Sequence, residues 1–530
     1  MSDDPIFLIA SAAYVDIELA AEFGKLPPAF LPVGNSRLYE LQIDSVTHLP
    51  GRRCLSVPES FMIPAWDLRR LGELGVDIVR VPDGLGLGAS ISTALALAGN
   101  GQGAVRILHG DTVIYDLENS EADVVAVGRA ESGYDWGVLG SSGLGGASLG
   151  TDADDQSILA GYFGFSDSIA LRRALARGRE DFLAAVDLYR AEVCMKAINV
   201  ESWLDFGHIQ TFYSSRCEIR TQRAFNNLHI DFQTVTKSSF DGNKMNQEAS
   251  WFESIPNSLR SFVPSYLGRR QPNGFDGYAV EYLPTPSLHE MFVFGDLDLK
   301  VWRSIMGSCF SFIKACQDFK SEDARPDFID ELVKNKTHTR LSLFADQNEF
   351  DESRCLSFNG AATPSLRDIA NITSDMIEPS SSETIGIMHG DFCFTNLFFD
   401  HRRQQIRCID PRGAVVSGQP SIYGDVRYDL AKLNHSAHGF YDLILAGQYQ
   451  CREQSGDYQI EFPEDGRFHR AMSAAEGFSV AGHTLGDLQV SAITIHLFLS
   501  MLPLHQDRPD RQRAFVANIL RLFANLENRL

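Results

Sequence analysis

The stretch Ile387-Met-His-Gly-Asp-Phe-Cys-Phe-Thr-Asn396, with Ile406-Arg-Cys-Ile-Asp-Pro-Arg-Gly413 behind it, limits what this chain can fold into more than any other. An apolar run enters His389-Gly390-Asp391, Asn396 follows shortly after, and a second apolar run delivers Asp410 at its end. Phosphoryl transfer from ATP calls for such groups: a carboxylate to accept the proton of an attacking hydroxyl, and an amide oxygen plus a second carboxylate to hold Mg²⁺ against the phosphates. On this reading Asp391 is the base, His389 joins it as a catalytic group, and Asn396 and Asp410 are metal ligands. A bare His-x-Asp would suit a β-hairpin with a polar loop equally well. The full set, with its following strand and Ile-Asp, is far more restrictive.

These residues resemble the catalytic loop and the metal-binding Asp of the aminoglycoside phosphotransferase and choline kinase family. The resemblance implies a two-lobed, protein-kinase-like α+β domain, with ATP and Mg²⁺ as cofactors and transfer to a small-molecule hydroxyl or amine.

Upstream, Phe225 to Lys237 reads as two short strands, followed by a helix over 244–255 with Met245, Ala249 and Phe252 facing a core. In a kinase small lobe a strand lysine holds ATP phosphates and is itself held by a helix glutamate, and Lys237 and Glu248 are the pair that order and spacing allow. Lys244 competes with Lys237, and a solvated strand lysine is the plainer alternative. The phosphate-covering loop can only be Ala224-Phe-Asn-Asn-Leu228, poorer in glycine than the family's. Gly277-Tyr-Ala-Val-Glu-Tyr-Leu-Pro284 reads as a hinge, with backbone groups at Glu281 to Leu283 available to an adenine edge, or as an ordinary strand-to-helix connection. Helices are expected over 302–319, 366–377, 423–433, 490–502 and 510–526, and a helix with loops near the acceptor cleft over 320–354. Asp425 and Asp429 read as structural acids bracing the catalytic loop, and His435 as core. Pro411-Arg412 and the lack of an Ala-Pro-Glu segment make a regulated protein kinase the poorer reading.

With 530 residues the chain is too long for one core. The expected divisions are 1–215, 216–285 for a small lobe and 286–530 for a large lobe. Apolar content is 44%, and no stretch nears the roughly eighteen uninterrupted apolar residues of a membrane span. The start lacks the basic segment of a signal peptide, and nine scattered cysteines without zinc spacing suggest reduced thiols, so a cytoplasmic protein is expected. A net charge of −22 argues against nucleic-acid partners. The expected partner is a small-molecule substrate, and a homo-oligomer stays open.

The amino-terminal half alternates strands and helices, which predicts an α/β domain: a mostly parallel sheet with helices on both faces and ligands at the carboxyl ends of its strands. Asp111 sits at such an end, after Val105-Arg-Ile-Leu-His-Gly. Gly84-Leu-Gly-Leu-Gly88 opens a helix whose exposed amides suit a phosphate or a base, which marks Gly86 and Gly88. Asp111, like Asp205 in Trp203-Leu-Asp-Phe-Gly-His, could instead cap a neighbouring helix, and the glycines could form a plain turn. Together with Pro28 to Ile43 and Ala160-Gly-Tyr-Phe-Gly-Phe165, these segments resemble sugar-phosphate nucleotidyltransferases over roughly residues 5 to 215. The resemblance implies Mg²⁺ on Asp111 and Asp205 and a nucleoside triphosphate such as CTP or UTP. The first loop, Ala10-Ser-Ala-Ala-Tyr-Val-Asp, lacks the family's glycines and arginine, and Pro27-Pro28 replaces its Pro-Lys. Lys25 or Arg37 could supply the missing cation. The low-complexity run Ser141 to Gly150 reads as a surface loop.

The expected protein is therefore a kinase for a sugar or amino alcohol, fused to a nucleotidyltransferase-like domain that activates the product for capsule or surface-polysaccharide assembly. The alternative keeps only the kinase active, with a binding or scaffolding first domain. A nucleotide-binding sensor would not need Asp391.

Overall fold

Ile6 and Leu8 belong to one buried cluster and Phe7 and Ile9 to another, so strand β1 (Ile6–Ala10) is covered on both faces, as successive residues of a strand point opposite ways. The structure is a computed structural model that describes residues 5–99, 103–117, 122–129, 137–140, 143–146, 157–179, 181–219, 227–231, 233–321, 327–413 and 420–530. Contacts divide the chain into Met1–Ile219 and Arg220–Leu530, where the sequence suggested a division after residue 215.

The first unit is α/β. Helix α1 (Leu38–Ser45) precedes strands β2 (Arg52–Pro58) and β3 (Asp77–Val81). Helix α2 (Leu87–Leu97), strands β4 (Val105–His109), β5 (Thr112–Ile114) and β6 (Val124–Arg129), and the hairpin β7 (Gly137–Gly140) and β8 (Gly143–Gly146) follow. Strand β9 (Ser157–Phe165), helices α3 (Ser168–Arg177) and α4 (Phe182–Glu192), strands β10 (Lys196–Asn199) and β11 (Trp203–Asp205), and α5 (Ile209–Glu218) complete it. The main sheet runs β8-β7-β9-β4-β1-β2-β3, with β6 beside β9 and β10 beside β6. β1, β2, β3 and β4 are mutually parallel, so their carboxyl ends share one edge, while β9 runs against both β4 and β6. Of the run Ser141 to Gly150, residues 143–146 are strand and the others lie outside the described residues.

The second unit has two lobes. Strands β12 (Asn227–Ile230), β13 (Thr234–Ser238), β14 (Tyr266–Arg270) and β15 (Gly277–Glu281) form an antiparallel sheet in the order β12-β13-β15-β14. Helix α6 (Gly242–Ser254) is capped by Asp241, whose side chain accepts from the Lys244 amide, and buries Met245, Ala249, Trp251 and Phe252. The large lobe is mostly helical: α7 (Leu288–Val293), α8 (Leu299–Gln317), α9 (Lys336–Asn348), α10 (Leu366–Asp375), α11 (Val426–Ala437), α12 (Leu488–Met501) and α13 (Pro509–Glu527). Strand β16 (Ile385–Ile387) enters the loop that carries His389 to Asn396, and the hairpin β17 (Leu397–Asp400) and β18 (Gln405–Cys408) leaves it. The expected helix over 423–433 begins instead with a strand, β19 (Tyr423–Asp425), which pairs with β16 and so fixes that loop from behind. The segment Leu488–His505 is long and apolar enough to cross a membrane by composition, yet 67% of it is buried within the protein as core.

Candidate active sites

In the second unit the sheet register places Lys237 on β13 opposite Tyr278 on β15, and α6 supplies Glu248. Lys237 Nζ lies 2.7 Å from Glu248 Oε2 and 3.1 Å from Asp410 Oδ2, and the Tyr278 hydroxyl donates to the same glutamate at 2.8 Å. Both carboxylate partners of the lysine are therefore in place within the fold. Burial pushes the Glu248 carboxyl up, yet the Lys237 charge opposes that rise. Lys244, the competing candidate, is half exposed and stands 3.9 Å from Glu248.

Around the loop, Asp391 is held from two sides. Asn396 Nδ2 donates to its Oδ2 at 2.9 Å and to its backbone oxygen at 2.9 Å, while Lys432 Nζ on α11 sits 2.8 Å from Oδ1. Burial would raise the Asp391 carboxyl, but the Lys432 charge overrides it and holds the group well below the usual carboxylate range. Two backbone bonds clamp the acidic segments together: Ile409 N–H donates to Asn396 O at 3.0 Å, and Arg412 N–H to His389 O at 2.8 Å. Asp410 has a left-handed backbone with φ of 58°, a conformation that costs a non-glycine residue about 1 kcal/mol and that this clamp sustains.

The loop is braced from below. Asp429 accepts from both the His389 and Gly390 amides at 2.8 Å, and burial pushes its carboxyl up to about 7. Asp425 is fully buried, accepts from Ser380 and Thr384, and pairs with Arg427 at 2.7 Å. Both acids are structural, and His435 is buried against Tyr441 and Phe498. His389 is corrected in role. Its ring is fully buried against Trp251, Phe312 and Phe392, burial lowers it to about 4, and its Nδ1 accepts from the Asp391 amide at 3.2 Å. It shapes the loop, and its observed bond is to the Asp391 backbone and not to the Asp391 carboxylate.

The hinge differs from expectation in one residue. The Glu281 carboxylate is committed to Arg407 at 3.0 Å and to Ser265, and its amide donates to Ser265 O. The Leu283 N–H donates to no protein group among the described residues and remains available to an adenine. Ala224 to Asn226 of the phosphate-covering loop lie outside the described residues.

Two glycines are required by close approach. At Gly413, φ is 64° and an added Cβ would lie 2.0 Å from the Gln247 carbonyl on α6, so the segment after Asp410 packs directly on the helix that carries Glu248. At Gly390, φ is 79° and a Cβ would lie 2.6 Å from that of Arg412.

In the first unit, β11 pairs with β5 so that Asp205 faces Thr112, next to Asp111. Gly207 lies between the two acids: a Cβ there would stand 2.7 Å from Asp111 Oδ2 and 3.3 Å from Asp205 Oδ1. Gln42 on α1 donates to the His109 and Thr112 carbonyls at 3.0 and 2.9 Å and pins the loop that carries Asp111. Burial and the neighbouring Asp205 charge both raise the Asp111 carboxyl. His208 stands 3.4 Å from Asp205, and Thr211 donates to the same carboxylate. Among the described residues neither Asp111 nor Asp205 pairs with a lysine or arginine. Gly86 is exposed at the amino end of α2, and Gly88 is buried in its first turn.

Of the two cations considered for this half, Arg37 is excluded. Its guanidinium is buried, bonded to Asp67 at 2.9 Å and to the Phe30 carbonyl at 2.7 Å. Lys25 is exposed, with its ammonium 4.1 Å from the centre of the Tyr14 ring.

Both sites suit Mg²⁺ by donor chemistry. Asp111 and Asp205 form a like-charged pair, the first half-buried and the second buried, that a cation would relieve, and Asn396, its nitrogen already committed, keeps Oδ1 for a cation next to Asp410. Among the described residues no three His, Cys, Asp or Glu side chains converge into a metal site, so phosphate oxygens and water would complete either shell.

Sequence reasoning missed Lys432, Tyr428 and Lys336. A signal for the first existed: on one helix Lys432 shares a face with Asp429 three positions earlier, and must face the loop that Asp429 braces.

No protein-family model and no curated protein matches the chain. Among solved structures, a nucleoside-diphosphate-sugar pyrophosphorylase from Vibrio cholerae RC9 is similar at 13% identity and TM-score 0.33, covering 40% of this chain and 99% of its own. The inositol-1-phosphate CTP transferase of T. maritima is similar at 14% and 0.32, covering 42% and 98%. The apo form of a thermostable mutant of aminoglycoside phosphotransferase APH(4)-Ia is similar at 11% and 0.35, covering 57% and 92%.

Proposed function

We propose that the second unit is an ATP-dependent kinase for a small hydroxyl compound of the sugar or amino alcohol class. One observation carries this reading: Lys237, Glu248 and Asp410 form one ion chain while Asn396 bonds Asp391, and backbone bonds join the two groups of residues. Asp391 accepts the proton of the attacking hydroxyl, and Lys432 keeps it ionised for that purpose. Lys237 draws the phosphates inward, and the Leu283 amide receives the adenine. Mg²⁺, when bound by Asn396 and Asp410, would offset phosphate charge. The test is ADP formation from ATP and Mg²⁺ across a panel of sugars and amino alcohols. Full activity in Asp391→Asn would remove Asp391 as base.

A second activity is favoured by Asp111 and Asp205 meeting across Gly207. The first unit would join the phosphorylated product to a nucleotide, CTP or UTP, with pyrophosphate released and both acids holding the metal. Fusion places consecutive steps in one chain, which suits a cytoplasmic supply route for capsule or other surface polysaccharide. Pyrophosphate release that disappears in Asp111→Ala would support it. No release with any nucleotide and sugar-phosphate pair leaves the first unit as a binding or scaffolding domain.

A further inference from the structure

The kinase reading leaves a cluster of cations unused. Lys336 opens α9 directly after a π-helical turn, Asp330–Asn335, a widened turn frequent at functional sites. Its Nζ lies 3.4 Å from the Tyr428 hydroxyl, and Arg412 Nη1 lies 3.4 Å from the same oxygen. Tyr428 is fully buried on α11, one helical turn before Lys432, which pairs with Asp391. The cluster therefore begins about 6 Å along the helix from the group that would take the acceptor's proton.

This concentration of positive charge stands out in a chain of net charge −22. Arg340, one turn beyond Lys336 on α9, adds to it and is held by the Ser500 carbonyl at 3.0 Å. Among the described residues none of Lys336, Arg340 and Arg412 has a carboxylate within ion-pair distance. All three are half-buried, and a cation partly withdrawn from water is favoured by an anionic partner. The strain of that arrangement is visible in the groups themselves. Burial, helped by Arg412, Arg340 and Lys432, lowers the Lys336 ammonium to about 8. Burial alone would raise the Tyr428 phenol, yet Lys336, Arg412 and Lys432 pull it down to about 7.

We propose that the phosphoryl acceptor carries an anionic group, a carboxylate or a phosphate, which Lys336, Arg412 and the Tyr428 hydroxyl bind about one sugar ring away from the hydroxyl presented to Asp391. The proposal rests on the kinase reading and narrows it: a sugar acid or a sugar phosphate fits, whereas a simple amino alcohol would bring a cation to a cationic wall. Arginine supplies a planar fork suited to either anion, and lysine a point charge.

The test uses the full chain with Mg²⁺ and a non-hydrolysable ATP analogue, titrated calorimetrically with glucuronate, glucose 6-phosphate, glucose and ethanolamine. At least one anion is expected to bind tenfold or more tightly than glucose, and which one does so separates carboxylate from phosphate. Lys336→Met is expected to erase that preference and Lys336→Arg to keep it, which guards against a folding defect. With ATP itself, the kcat/KM preference for the anion over glucose should fall at least tenfold in Lys336→Met. Equal or tighter binding of glucose or ethanolamine overturns the proposal. So does a Lys336→Met protein that binds the ATP analogue more weakly but keeps its preference for anions, because the cations would then serve the nucleotide. The kinase reading fails on a different result, analogue binding that does not respond to Lys237→Met.

Discussion

The two candidate sites differ in how their acids are balanced. In the second unit each functional carboxylate already has a cation: Glu248 and Asp410 share Lys237, and Asp391 has Lys432. In the first unit Asp111 and Asp205 face each other with histidines nearby and no lysine or arginine partner among the described residues. A site balanced internally is organised before its ligands arrive, so its geometry is a property of the fold. A site with excess negative charge is one that a cation would relieve, and its departures, Pro27-Pro28 and a first loop without arginine, fall on the groups that would neutralise a leaving pyrophosphate.

The sharpest break of this contrast is Asp391→Asn. Loss of the base is expected to lower kcat by about a thousandfold while nucleotide affinity, measured by calorimetry, stays near that of the unchanged protein. Next, Lys237→Met should cost about a hundredfold in kcat/KM for ATP, with most of the loss in KM, since it leaves Glu248 buried without its ion-pair partner. Gly413→Ala should destabilise the second unit by about 2 to 3 kcal/mol in denaturant melts and lower turnover, because its Cβ would push α6 and Glu248 away.

The contrast extends to acid. Burial lowers His496 on α12 to about 3 and His389 and His438 to about 4. A histidine kept neutral in the fold takes a proton more readily when unfolded, so its contribution is complete above pH 6.5 and shrinks as pH falls toward the folded value. For His496 alone the loss at pH 5 is about 2 kcal/mol. The melting transition of the second unit should drop between pH 7 and 5, and His496→Gln should shrink that drop. The smallest effect concerns Asp111→Asn. Removing one of two facing charges should stabilise the metal-free first unit by about 1 kcal/mol and abolish its thermal response to Mg²⁺. An unchanged Mg²⁺ response would dissolve the distinction drawn between the sites.

What could be read in advance followed sequence locality. Asp391 and Asn396 lie on one loop and Asp410 at the end of the next hairpin, so spacing alone brought them together. Lys237 and Glu248 lie on a strand and the helix that follows it, and needed only one assumption about order. Lys432 comes from a later helix, where its face is legible from Asp429 but its partner, Asp391, is set by tertiary packing. Arg37 shows the converse error: it looked free for a phosphate until Asp67, from a distant helix, occupied its guanidinium. The strand at Tyr423–Asp425 was hidden for the same reason, since its pairing partner, Ile385–Ile387, lies across the catalytic loop.

The indole of Trp251 on α6 donates to the Met388 carbonyl at 2.9 Å, at the mouth of the catalytic loop. Swinging α6 outward, as a switchable catalyst would, strands a buried oxygen at a cost of about 1 to 3 kcal/mol, in addition to breaking the Lys237 pair. Any outward movement of α6 therefore has to break both ties at once.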